Sequence, residues 1–187
     1  MDIVTWSHGV AESVLRVLPR RWRHVRGVAD RAAQAVGLFP VEDGRLLVAA
    51  AMLHDIGYAP NLALTGFHPL DGARYLKGIG APLRLCALVA HHSCAFREAE
   101  LRGLSVELAE WPDEESPLRD ALWWADMTTT PDGGLTTVHD RIEEIQKRYG
   151  PEDLVTFFIR QAEGELVASV KRTEGRLGEA GLDQIVK

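Results

Sequence analysis

Apolar residues recur at spacings of three and four along almost the whole chain, and no segment alternates apolar and polar positions for long. This is the period of a helix, so the pattern predicts an all-α fold, a compact bundle of about seven to nine helices. A first helix is expected over about 2–17. A second follows over about 19–36, with Pro19 in its first turn and Gly37 at its end. From Glu42 the segment EDGRLLVAAAMLHDI is apolar nearly all round, as in a central buried helix, and Gly57 is expected to close it.

The run from Tyr58 to Thr65 reads as a connection, followed by a helix over about 69–77 that His68 approaches, and by another that opens at Pro82 and ends in His91 and His92. Residues 93–116 are polar and acidic near their end, which suggests a surface excursion or lid. Pro117 restarts a helix through LRDALWWADMTTT, closed by Pro131 and Gly133-Gly134. Helices over about 137–148 and 151–173 complete one domain spanning 1–187, with 174–187 expected to fray.

Length and composition leave this picture of an ordinary globular domain in place: 187 residues, 46% hydrophobic and 26% charged. The net charge of -6 gives none of the basic surplus that duplex nucleic-acid binding uses. Cys86 and Cys94 are too few for a disulfide framework, which suits a reducing cytoplasm. The apolar run Leu46–Leu53 is far below the roughly 18 residues of a membrane span, and the start lacks the layout of a signal peptide. A monomer or homodimer with no membrane partner is expected.

Candidate chemistry comes from histidines and aspartates in apolar surroundings. His54 and Asp55 end the most apolar helix, where burying both would cost several kcal/mol without compensation. A bound cation is the simplest compensation, since imidazole nitrogens suit transition metals. Asp126 poses the same problem within ALWWADM. His24, His68 and His91-His92 fall on or near other core helices, so that one site could be assembled from several segments of a bundle. His8 and His139 lie outside this set.

These residues carry a resemblance. RRWRHVRGVADRA, LLVAAAMLHDIGY, GFHPLDGARYL, VAHH and WADM resemble, in order and approximate spacing over about residues 20–130, the segments of the HD-domain metal-dependent phosphohydrolases. The resemblance implies that His24, His54, Asp55 and Asp126 hold one metal and that Asp55 bridges to a second held by His68 and His91, with His92 as alternate or additional ligand. Neighbouring side chains on a helix diverge by about 100°, so the sequence leaves His91 and His92 open. Six or seven ligands exceed what one tetrahedral or octahedral ion with an open position would take, which supports two divalent transition-metal ions, Fe or Mn first, with Zn, Co or Ni as alternatives. Two such ions would hold a bridging hydroxide for hydrolysis of a nucleotide or another small phosphoester.

Members of that family often carry a lysine shortly after the His-Asp pair; here the position is Tyr58. Arg21, one helical turn before His24, is the expected phosphate contact, with Arg74 and Arg97 as substitutes. Asp71 could orient His68 or sit on the surface. Trp22, Trp123 and Trp124 read as core or pocket wall. In the absence of metal, Asp55 and Asp126 are expected to repel each other. Two rivals share the scaffold: a mixed-valent diiron oxygenase cleaving a C–C or C–P bond, and a non-catalytic nucleotide-binding module. The arginines around His24 favour hydrolysis over the first, and the complete ligand set argues against the second.

Overall fold

A computed structural model describes residues 2–182, which contain ten α-helices and no strand. The first three are α1 (Ile3–Leu15), α2 (Pro19–Ala33) and α3 (Val41–Leu53). They are followed by α4 (His68–Gly78), α5 (Leu83–Ala90), α6 (Ala95–Arg102) and α7 (Ser105–Leu108). The last three are α8 (Pro117–Met127), α9 (Val138–Tyr149) and α10 (Leu154–Glu179). The all-α expectation holds. Ten is one more than the upper end of the expected seven to nine, and the two helices that the expected segments did not include, α6 and α7, come from 93–116, which is not a bare loop: Ala99, Leu108 and Trp111 are buried there.

Helix α3 is the axis of the core, packed by α1, α2, α5 and α8. Leu46, Leu47, Ala49, Ala50, Ala51, Met52 and Leu53 are all buried, which is why its sequence shows no polar face. Each such leucine contributes roughly 1.5–3 kcal/mol through burial, so the helix is fixed by its surroundings on every side. The helix ends at Leu53, and His54-Asp55 leads into a 3-10 turn over Ile56–Tyr58. Gly57 therefore does not close α3. Its role is contact, because a Cβ there would lie 2.1 Å from the His68 carbonyl oxygen. Only glycine lets the 3-10 turn and the start of α4 meet.

Side-chain caps fix several starts: Asp2, Ser116, Thr137 and Asp153 each accept from a backbone N–H in the first turn. Helix α2 stops at Ala33, short of 36, and a 3-10 turn over Val36–Leu38 replaces a glycine cap. Helix α10 continues past 173, because Arg172 Nε and Arg176 Nη1 bind the buried Asp120 of α8 at 2.8 and 3.0 Å, and Leu177 is buried. The rest of the expected frayed end, 183–187, lies outside the described residues. No helix among the described residues is long and apolar enough to cross a membrane.

Candidate metal centre

Three histidines are oriented by the same device. His54 Nδ1 donates to the Ala51 carbonyl at 2.7 Å and His92 Nδ1 to the Val89 carbonyl at 2.7 Å, in each case within the helical turn just completed. His24 Nδ1 donates to the Thr130 carbonyl at 2.9 Å. A carbonyl only accepts, so each Nδ1 carries a hydrogen and each Nε2 is the atom left to face the site. The His24 bond needs α2 close to the 128–137 loop. Gly27 and Gly133 supply that closeness, since a Cβ on Gly27 would stand 2.4 Å from the Gly133 carbonyl oxygen.

The Nε2 atoms converge on two carboxylates. His24 Nε2 is 3.1 Å from Asp126 Oδ1, and His54 Nε2 is 3.4 Å from Asp55 Oδ2 and 3.7 Å from Asp126 Oδ1. On the other side, His68 Nε2 is 3.2 Å from Asp55 Oδ1 and 3.1 Å from His92 Nε2. The donor atoms thus form two groups, His24/His54/Asp126 and Asp55/His68/His92, each within 4.8 Å. Asp55 turns one oxygen toward each group.

His91 does not join them. Helix α5 ends at Ala90, and His91 Nε2 donates instead to the Trp111 carbonyl at 2.7 Å. The ligand expected first for the second metal therefore points away, and its neighbour His92 takes the place. The reason is the local chain: Ser93 and Cys94 have φ of 46° and 60°, and this consecutive left-handed pair kinks the backbone right after the histidines. Such a conformation costs roughly 1–2 kcal/mol per non-glycine residue. It brings Ser93 Oγ to 2.5 Å from Asp126 Oδ2. The sequence reading missed Ser93.

Electrostatics agree with a site made for cations. Burial disfavours ionised Asp55, but Arg21, His54 and His68 outweigh it and hold its carboxyl well below the usual range. Asp126 is likewise held low against burial, by His24 and His54. His54 is pushed up to about 8, because the two carboxylates overcome its desolvation. His92, desolvated and next to His54 and His68, falls to about 3 and stays neutral. The expected repulsion between Asp55 and Asp126 is thus answered from within the protein, by Arg21 and His54.

The donor set fits divalent transition metals: four imidazole nitrogens and two carboxylates, buried or nearly so, in two groups sharing Asp55. His54 Nε2 is in addition buried with no hydrogen-bond partner, although it faces both carboxylates. A buried nitrogen aimed at two carboxylates is the kind of donor that a cation would satisfy.

Arg21 is near its expected place but differently engaged, with Nη1 on Asp55 Oδ2 and the guanidinium 4.0 Å from the Tyr58 ring centroid. Tyr58 also stacks on His68 at 3.9 Å. Arg97 is held by Glu165 at 2.8 Å, and Arg74 does not line the cavity. Asp71 is buried and does neither of the things expected of it, since it accepts from Thr65 N and Thr65 Oγ1 and so pins the 59–67 loop. Trp123 and Trp124 are fully buried, and Trp22 partly.

A small cavity, about 70 Å³, lies over the two groups. Its far wall is formed by α9 and α10, through Arg141, Ile145, Arg148, Tyr149 and Phe158. Nothing along the chain marks this wall beyond the i, i+4, i+7 spacing of Arg141, Ile145 and Arg148, which any amphipathic helix shares.

No curated protein and no solved structure matches the chain. The family model described as HD domain matches residues 21–144, a span that takes in every residue of the two donor groups. Since that span is more than half of the 187 residues and supplies the whole centre, the chain belongs to the HD domain family.

Proposed function

We propose that this protein is a phosphohydrolase that uses two divalent metal ions to hydrolyse a small phosphoester. HD domains bind divalent metals and are mostly metal-dependent hydrolases. The observation that carries the two-ion reading is Asp55, whose Oδ2 faces His54 and whose Oδ1 faces His68. His24, His54 and Asp126 would hold one ion, His68 and His92 the other, and Asp55 would be shared.

The ions would supply activation of a water for attack on phosphorus and neutralisation of the phosphoryl charge. The residues of the chain do the rest. The backbone carbonyls behind His24, His54 and His92 keep three imidazoles in one tautomer and one direction. Arg21 and Arg148 place guanidinium groups on the cavity wall, where an anionic substrate needs donors. Glu98, Ile145 and Phe158 narrow the space and limit bulk water.

The test is metal analysis of protein purified without chelator, joined to a screen of phosphorylated metabolites. Two equivalents of metal and turnover of at least one phosphoester are expected. Oxygen consumption by the iron-loaded protein without phosphate release would overturn hydrolysis in favour of the oxygenase.

A further inference from the structure

A second cavity, about 440 Å³, adjoins the first and is lined by Val17, Leu18, Pro19, Arg20 and Pro131 together with Arg21, Tyr58 and Arg148. The last three residues also line the small cavity over the metal centre, so the two spaces share one wall. We infer that the outer cavity is the subsite for the organic part of the phosphoester, and that it selects a largely apolar body without a cationic substituent, of up to nucleoside size. This rests on the hydrolase reading above.

The volumes make the division. About 70 Å³ over the donor groups leaves little room beyond a phosphoryl group, so the remainder of a substrate must extend outward. About 440 Å³ lies within the roughly 300–1,000 Å³ of small-molecule sites.

The chemistry of the shared wall points the same way. His68 and the Arg21 guanidinium, 3.9 and 4.0 Å from the Tyr58 ring centroid, sandwich that ring, and Tyr58 lines both cavities. Arg21, Tyr58 and Arg148 therefore set hydrogen-bond donors at the junction, where an anionic group belongs. Beyond them the lining becomes apolar through Val17, Leu18, Pro19 and Pro131, and Arg20 is already paired with Asp132 at 3.3 Å. No carboxylate lines the outer cavity among the described residues, so nothing there would receive a cationic substituent.

Three phosphonates with a common head group test this by calorimetry on manganese-loaded protein: 1-naphthylphosphonate, methylphosphonate and 2-aminoethylphosphonate. The naphthyl compound should bind at least about tenfold more tightly than the methyl compound, and the aminoethyl compound no more tightly than the methyl one. Val17 is 71% exposed at the lip, so Val17→Trp should fold and obstruct the cavity. It should cut the naphthyl-to-methyl ratio at least about fivefold, as should Leu18→Phe from deeper in the wall. Equal binding of all three, tighter binding of the aminoethyl compound, no binding at all, or variants that leave the ratio unchanged would overturn the subsite. Phosphate release from 1-naphthyl phosphate separates this from the parent reading. Naphthyl selectivity without turnover sinks the hydrolase alone, and turnover without selectivity sinks the subsite alone.

Discussion

Ser93 donates its hydroxyl to Asp126 Oδ2 at 2.5 Å, and so leaves Oδ1 as the oxygen that faces His24 and His54. One carboxylate oxygen is thereby committed to the protein and the other to the site. The backbone strain at Ser93, with φ of 46°, is what places the hydroxyl there.

Ser93→Gly separates strain from function. Glycine tolerates the left-handed conformation and regains up to about 1 kcal/mol at this residue, less than the lost hydrogen bond to buried Asp126 costs, so the melting temperature of the metal-free protein should fall only slightly. The hydrogen bond to an ionised group is worth roughly 1.5–3 kcal/mol, and its loss should lower metal affinity and kcat/KM by about tenfold or more. Thermal melts beside metal titrations check this; unchanged metal affinity would make Ser93 purely structural.

Asp55→Ala should abolish metal binding and turnover, and it should also destabilise the metal-free protein. The variant removes the partner of both Arg21 and His54 and leaves buried cationic groups uncompensated. Breaking a buried pair in this way costs about 3–5 kcal/mol, a figure to be reduced here because Arg21 keeps some exposure. Chemical denaturation with chelator present measures it, and a gain in stability would mean that carboxylate repulsion dominates after all.

His91 and His92 should behave as opposites. Loss of His91 breaks the bond to the Trp111 carbonyl, so His91→Phe should cost about 1–3 kcal/mol of stability with metal content intact. His92→Phe should lose one equivalent of metal. Elemental analysis of the two variants decides, and retained metal in His92→Phe would remove it from the second group.

Proton and metal compete for His54. Its raised value of about 8 means that below that pH a proton occupies the imidazole that would ligate, so apparent metal affinity should climb as pH rises toward 8 and level off above. The sign for folding is the reverse. A group whose value is raised in the folded state adds stability below its unfolded value near 6.5, and that stability is lost as pH rises through about 8. In chelator, the His54 contribution should therefore decline between pH 6.5 and 8, whereas protein in metal should not show this decline. Melting curves across that range, with and without metal, read both trends.

Arg21→Lys should be almost as damaging as Arg21→Ala, with kcat/KM down by about one to two orders of magnitude, or roughly 1.4–2.8 kcal/mol. A planar guanidinium can lie over the Tyr58 ring and present a second edge to an anion, which an ammonium cannot copy. Steady-state kinetics on the phosphoester found by the screen provide the measurement, and full activity in Arg21→Ala would shift the phosphate contact to Arg148.

The helical period, the proline starts and the ordered histidines and aspartates are local properties, and the sequence by itself determined them: an all-α core around the helix ending in His54-Asp55, and a family pattern through His24 and Asp126. What a side chain faces is not local. His91 and His92 are adjacent in the chain, yet one turns to Trp111 and the other to His68, because α5 ends between Ala90 and the kink at Ser93-Cys94. Arg148 reaches the cavity only because α9 packs over a centre built more than twenty residues earlier in the chain. Asp71 was three residues from His68 and bound Thr65 instead, once the 59–67 loop folded back on α4. Periodicity fixes which residues are buried, but direction depends on where each helix stops and on which distant segment packs against it, and those are set by the tertiary packing alone.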